Sequence, residues 1–146
     1  MQPDVIDFEY IAPSAIVYRR KGDTMKVFKT KWFTKWAAKE KLSDTSLLKA
    51  VGEMERGLID ANLGGHVVKK RVAIQGRGKR GGVRTLVAYQ VEDKAFFMYG
   101  FAKNKRANIR DDELRVLQTV ADTLLNHGDE MLKHLMEIKE LIEVLD

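Results

Sequence analysis

Residues 67–101 alternate apolar and polar side chains in the manner of β-strands, with two short polar connections between them. The segments 67–74, 83–91 and 95–101 are predicted to be strands. Connections this short join antiparallel neighbours, so the three segments predict a meander. The third segment is apolar on both faces, which predicts a central strand covered on both sides.

Helical patterns precede and follow this predicted sheet. After a short strand that starts at Met25, apolar residues recur at helical spacing around Trp32 and Trp36, and again after Ser43 or Asp44, either of which can cap a helix. The second of these two helices is predicted to bury Leu47, Leu48, Val51, Met54 and Leu58.

The C-terminal part of the sequence predicts one or two further helices. The acidic run Asp111–Glu113 suits a helix N-terminus, and Gly128 is predicted to be the C-cap of that helix. A last helix is predicted from about residue 129, with Leu141 and Ile142 among its buried positions. The predicted class is α+β, with two N-terminal helices packed on a small antiparallel sheet and one or two C-terminal helices.

A length of 146 residues fits one domain. Residues 1–24 hold both prolines and show no clean period, so they are predicted to be an N-terminal extension. Residues 25–126 are predicted to form the main domain, and residues 127–146 a C-terminal helical extension. No apolar run is long enough to span a membrane and no signal-peptide pattern opens the sequence, which predicts a cytoplasmic protein without a membrane partner.

The sequence contains no cysteine, which excludes disulfides, zinc–thiolate sites and thiol nucleophiles. Its charge is unevenly distributed. Residues 66–106 carry eleven Lys and Arg against two acids, whereas residues 111–146 carry ten acids against three Lys and Arg. The basic stretch predicts a polyanionic partner. The alternative is an ordinary solvated surface whose charges happen to cluster.

The connection 75–82 combines glycines with Arg77, Lys79 and Arg80. Glycines let the backbone approach a ligand closely, and clustered cations neutralise phosphates. The loop lacks the hydroxyl residue of a P-loop, and a strand rather than a helix follows it, so a nucleotide-binding fingerprint is excluded. A hairpin tip with solubilising charge is the alternative interpretation.

Further cations lie on the predicted strands. Lys69 and Arg71 share one strand face, and Arg84 opens the next strand. Strand alternation predicts that these three side chains converge. Whether Lys103 and Arg106, at the end of the third strand, join them is left open.

Four segments of this region carry a family resemblance. They are Lys-Lys-Arg-Val-Ala (69–73), Gly-Val-Arg-Thr-Leu (82–86), Phe-Phe-Met-Tyr-Gly-Phe-Ala-Lys-Asn (96–104) and Arg-Ala-Asn (106–108). Together with the Gly/Arg/Lys loop they resemble the core of the RelE/ParE toxins of type II toxin–antitoxin systems, in particular the RelE- and HigB-like branch. The resemblance covers about residues 25–125 and includes the helix pair before the sheet.

The resemblance implies an mRNA endoribonuclease that needs neither a metal ion nor another cofactor and acts on the ribosome. In this chemistry a ribose 2′-oxygen attacks the adjacent phosphate. Matched by position, the implied catalytic residues are Lys69, Arg71, Arg84 and Lys103. The implied RNA-binding residues are Lys70, Arg77, Lys79, Arg80, Lys105 and Arg106. The implied partners are a cognate antitoxin, mRNA and the ribosome.

The sequence departs from the family pattern where many members carry a late Tyr or His. No such residue follows Lys103 before His127, so the general acid and base stay unassigned. His66 is a possible substitute, although an exposed turn residue is the simpler interpretation. This departure favours a second hypothesis, a non-catalytic RNA- or ribosome-binding module. A ParE-like toxin directed at gyrase is a third.

Several aromatic residues allow two interpretations. Trp32 and Trp36 either stack on bases or form the apolar face of the first helix, and the helix face is the preferred interpretation. Tyr89 and Tyr99 likewise either stack on a base or belong to the core. The acidic C-terminal segment could in turn fold over the basic face, and deleting residues 129–146 would test that idea.

Overall fold

A computed structural model describes residues 25–145, without the side chains of residues 78–80. The predicted N-terminal extension, residues 1–24, lies outside the described residues. Four helices and one six-stranded sheet form the fold. The strands are β1 Lys26–Thr30, β2 Ala61–Asn62, β3 Val67–Ile74, β4 Gly78–Gln90, β5 Lys94–Ala102 and β6 Leu141–Glu143. The helices are α1 Lys31–Glu40, α2 Asp44–Glu55, α3 Asp111–Leu125 and α4 Asp129–Glu137.

The strand order across the sheet is β2-β3-β4-β5-β1-β6. The predicted meander of β3, β4 and β5 is confirmed, with β5 inside the sheet and largely buried. The expectation of a purely antiparallel sheet is wrong, because β1 pairs in parallel with β5. A parallel pair needs a long crossover connection, and α1, α2 and the meander provide it here.

Hydrophobic clusters cover both faces of the sheet. On one face α1 and α2 bury Phe33, Leu47 and Val51 against Val87 and Phe97 of the sheet. On the other face α3 and α4 pack their apolar residues on the sheet, and the buried residues of this cluster include Phe28, Leu86, Phe96, Ala121 and Leu132. The molecule is therefore a three-layer α/β/α arrangement, not helices on a single face.

Ser43, one of the two residues predicted to cap the second helix, is the cap that the structure shows, whereas the cap of the first helix was not predicted. Thr30 ends β1 and caps α1 directly, since its hydroxyl accepts from the Phe33 amide at 3.2 Å. Ser43 caps α2 by accepting from the Ser46 amide at 3.2 Å. The predicted burial of Leu58 is wrong, because α2 ends at Glu55 and Leu58 lies exposed in the following turn.

Other differences lie at the ends of elements. β4 begins at Gly78, so the predicted loop 75–82 shortens to a hairpin tip. Gly128 caps the start of α4 and not the end of α3. Leu141 and Ile142 belong to β6, which pairs with β1, and not to a helix. The short strands β2 and β6 carry too few residues to show a period in the sequence.

The segment after residue 126 is part of the packed structure. Leu132 and Leu141 are buried in the same cluster as the residues under α3. Deleting residues 129–146 would therefore remove a strand and core side chains, and could not test autoinhibition alone. The proposed division of the chain at residues 126 and 127 stays a prediction. Among residues 25–145, no helix combines the length and apolarity that crossing a bilayer requires.

Candidate functional site

Two arginines face each other across neighbouring strands. The register pairs Arg71 of β3 with Arg84 of β4, and Arg84 in turn with Phe101 of β5. These three cross-strand neighbours form a row across the sheet, called the Arg71–Arg84 row below. The row lies on the face that α3 packs against, because Phe101 is buried in the same hydrophobic cluster as Ala121 and Leu124 of α3. The Arg71 side chain is 44% exposed and that of Arg84 is 13% exposed. Like charges directly opposite each other destabilise a sheet, so packing alone does not account for this pair.

Asp60, immediately before β2, is the carboxylate that both arginines share. Its Oδ1 accepts from the Arg71 amide at 3.3 Å. Its Oδ2 lies 4.0 Å from Nε of Arg71 and 4.0 Å from Nε of Arg84. One carboxylate thus faces two guanidinium groups, which leaves a net positive charge on the row. Asp60 is not recognisable as part of this site from the sequence, because no spacing connects it with Arg84.

Lys69 lies in the neighbouring row on the same face. Register pairs Lys69 with Leu86 and Leu86 with Tyr99. The Lys69 side chain is half-buried, and no carboxylate among residues 25–145 forms an ion pair with it. The predicted convergence of Lys69, Arg71 and Arg84 on one face is therefore what the structure shows.

Arg106 joins this face from the connection between β5 and α3. Its guanidinium lies 5.7 Å from the ring centroid of Phe101, and its Nη1 donates to the Tyr99 hydroxyl at 3.3 Å and to Glu113 at 3.1 Å. The second nitrogen, Nη2, bonds the other oxygen of the same carboxylate. This bidentate pair is a strong, geometrically defined interaction. It fixes Arg106 beside the row, a position that the sequence left open.

Glu113 anchors Arg106 and caps α3 at the same time, since its carboxylate also accepts from the Arg110 amide at 2.8 Å. The hydrogen bond from Arg106, followed by that from the Arg110 backbone, lowers the pKa of Glu113 to about 2. The same pairing raises the pKa of Arg106. The guanidinium at the edge of the row therefore stays charged.

The low pKa of Glu113 makes part of the stability depend on pH. Its unperturbed value is 4.5, so the stabilisation is complete above pH 4.5 and is lost as the pH falls towards 2. We expect Glu113→Gln to be less stable than the wild type at pH 7 and to lose less stability between pH 5 and pH 2. Thermal unfolding monitored by circular dichroism at stepped pH values measures this. Glu137→Gln, at an exposed carboxylate outside the network, should follow the wild-type profile. A Glu113→Gln profile parallel to the wild type would contradict the expectation.

The remaining predicted cations occupy three different environments. Lys103 and Lys105 are exposed in the turn after β5, and Arg77 is exposed at the hairpin tip between β3 and β4. Lys79 and Arg80 lie in β4, with side chains outside the described residues. The meander brings the end of β3, the start of β4 and the end of β5 to the same end of the sheet, so Arg77, Lys103 and Lys105 lie toward the end of the sheet beyond Arg71 and Arg84.

Lys70, predicted to bind RNA, faces away from this site. Its side chain is 7% exposed, and its Nζ donates to the Leu58 carbonyl at 2.8 Å and contacts Glu53 at 2.8 Å. The hydrogen bond from Lys70 lowers the pKa of Glu53. Lys70 thus connects β3 to α2 and to the turn after it, and its position is structural.

Lys69 and Lys70 offer a matched pair of variants. We expect Lys70→Ala to lower the free energy of unfolding by about 2–3 kcal/mol. The substitution removes the hydrogen-bond donor of the Leu58 carbonyl and the ion-pair partner of the partly buried Glu53. Lys69→Ala should change stability little and weaken RNA binding. Urea unfolding and RNA titration of both variants measure these effects. The structural role of Lys70 is contradicted if Lys70→Ala is as stable as the wild type and binds RNA poorly.

His66 does not replace the missing late Tyr or His. It adopts a positive φ of 65° in the exposed turn before β3. At about 3.4 Å per residue, His66 lies roughly 17 Å along the strand from Arg71. Within residues 25–145 the structure contains no cluster of three or more acidic or histidine side chains suited to a metal ion.

Comparison with known families adds an independent finding. A family model described as the RelE toxin of the RelE/RelB toxin–antitoxin system matches residues 25–144. That range begins at the first described residue and includes α4 and β6. No curated protein matches the sequence.

Proposed function

Because the chain belongs to the RelE toxin family of toxin–antitoxin systems, we propose that it is a cytoplasmic mRNA endoribonuclease that acts on the ribosome. The observation that carries the proposal is the direct cross-strand pairing of Arg71 with Arg84 on an accessible face. Asp60 offsets one of the two opposed guanidinium charges, and an anionic ligand would compensate the other. A phosphodiester is an anion of suitable shape, because guanidinium groups bind two phosphate oxygens at once.

The proposed reaction needs no bound metal ion or other cofactor. The ribose 2′-oxygen forms a bond to phosphorus, its proton passes to a base, and the bond from phosphorus to the 5′-oxygen breaks as that oxygen receives a proton. Negative charge grows on the phosphorane, where Arg84 and Arg71 stabilise it. Lys69, in the next row, and Lys103, beyond the end of β5, add positive charge around the same phosphate.

Family membership implies an antitoxin as partner. An antitoxin that inhibits the proposed reaction has to cover the Arg71–Arg84 row or displace RNA from it. Acidic side chains would complement that row, as Asp60 and Glu113 already do within the chain. We propose that an acidic segment of the antitoxin occupies this face.

The decisive experiment is inducible expression followed by mapping of RNA 5′-ends, with the wild type beside Arg84→Ala. The proposal expects growth arrest and new ends within translated messages for the wild type, and neither for the variant. New ends at equal frequency in both strains would show that Arg84 does not take part, and their absence in the wild type would refute cleavage.

One observation favours a second function, a non-catalytic RNA- or ribosome-binding module. Among residues 25–145, Tyr99 is the tyrosine nearest to the arginine pair, and its hydroxyl is already bonded to Arg106. Under this alternative the protein binds RNA through the same face and translation slows, but the mapping experiment shows no new RNA ends.

A further inference from the structure

Trp32, in the first turn of α1, is a large aromatic side chain that the fold leaves 47% exposed. The helix buries Phe33 and Ala37 instead, so the prediction that both tryptophans belong to its apolar face is wrong for Trp32. The Trp32 ring stacks on Tyr99, with centroids 4.6 Å apart and planes at 27°. It also stacks on Trp36, with centroids 6.0 Å apart and planes at 14°. These contacts hold the exposed indole in a fixed orientation.

The aromatic stack leads directly to the arginine row. The Tyr99 hydroxyl accepts from Arg106, the Arg106 guanidinium lies against Phe101, and Phe101 is the cross-strand neighbour of Arg84. A continuous path of rings and guanidinium groups therefore connects Trp32 with Arg84. Such alternation of flat apolar surfaces and cations matches the alternation of bases and phosphates in a single strand.

The sheet geometry sets the scale of this path. Pairing of β1 with β5 stops at Lys29 and Phe97, and Trp32 lies beside β5 just beyond that point. Strands are about 4.8 Å apart and rise about 3.4 Å per residue, which places Trp32 on the order of 12 Å from Arg84. A few nucleotides of extended RNA span that distance.

We propose that Trp32 is a stacking site for an unpaired nucleobase of the RNA whose phosphate Arg71 and Arg84 hold. The proposal rests on the proposed function and names a base contact that the cations do not supply. The surroundings favour RNA over an apolar protein surface. Lys35 lies about one helical turn from Trp32, and Lys103 and Lys105 follow β5, all three exposed. Every base offers a flat ring, so Trp32 would hold the strand without selecting its sequence.

The test compares RNA with and without bases. Single-stranded RNA carrying 2′-O-methyl riboses cannot undergo 2′-oxygen attack, so titration measures binding alone. An oligonucleotide of the same length and backbone but with abasic sugars serves as the second ligand. We expect Trp32→Ala to weaken binding of the base-carrying strand about tenfold and to leave binding of the abasic strand unchanged. Trp32→Phe should recover part of the loss, because it retains a flat ring.

Val116→Ala, which truncates another exposed apolar side chain, is the matched control and should bind both ligands like the wild type. Thermal unfolding of Trp32→Ala establishes that the fold is intact. Equal loss for both strands, or no loss for either, overturns the stacking site. If Trp32→Ala weakens binding of neither strand but Arg84→Ala does weaken binding, the proposed function stands without the stacking site. If the wild type binds neither strand, the stacking site fails, and the mapping of RNA ends alone decides the proposed function.

Discussion

Arg84→Ala is expected to lower the rate of RNA cleavage by about 10²–10³-fold while the protein stays folded. This is the usual effect of removing one fixed donor that faces developing negative charge. Arg84 is mostly buried and held by the register of β4 and by Asp60, so its guanidinium is oriented before RNA binds. Removing it also relieves the repulsion from Arg71, so the stability loss stays small. Single-turnover cleavage of translated message, with thermal unfolding in parallel, measures both effects.

Arg115→Ala provides the matched control, because it removes the same side chain from an exposed position on α3. It should cleave at the wild-type rate. Cleavage by Arg84→Ala at the rate of this control would show that the arginine row is not the reaction centre.

Gly100→Ala is expected to destabilise the fold by about 2–3 kcal/mol and to lower the melting temperature by roughly 10 °C. Gly100 is buried in β5, and a β-carbon there would overlap the indole of Trp36. Accommodating it forces Trp36 away from the sheet and disturbs the ring packing that Trp36 makes with Phe33. Thermal and urea unfolding of the variant measure the loss.

Two further variants make this expectation specific. Gly52→Ala lies within α2, where the added carbon meets nothing closer than 3.9 Å, so helix propensity should leave stability unchanged or higher. Combining Gly100→Ala with Trp36→Ala removes the obstructing ring. The double variant should then lose less than the two single losses together. Strict additivity would show that Trp36 is not the cause.

Local patterns in the sequence were sufficient to predict the strands and helices that carry the site. The bounds of β3 agree with the predicted strand 67–74, and Ser43 caps α2 as proposed. These features depend on periodicity and capping within a few residues. The resemblance to RelE-type toxins is confirmed by the match over residues 25–144.

Two rules of strand geometry determine where the other cations of the sheet lie. Strand alternation, which placed Lys69 and Arg71 on one face, also places Lys70 on the other. In a meander the end of the first strand, the start of the second and the end of the third lie on the same side. That rule predicts that Lys103 and Arg106 approach Arg84.

Contacts between distant segments could not be predicted. The parallel pairing of β1 with β5 and the addition of β6 join segments from opposite parts of the sequence. The same holds for Asp60 beside Arg84 and for Trp32 beside Tyr99. Each depends on which elements pack together, and periodicity within one element carries no information about its neighbours.

The position of β1 between β5 and β6 has a consequence during synthesis. β1 leaves the translating ribosome early, yet both of its neighbours are made later, and β6 last of the described strands. Pairing over such long sequence separations is slow and comes late in folding. A copy in which β6 has not yet been made therefore lacks one edge of its sheet, and β1 can find its permanent neighbours only after β5 and β6 have both been synthesised.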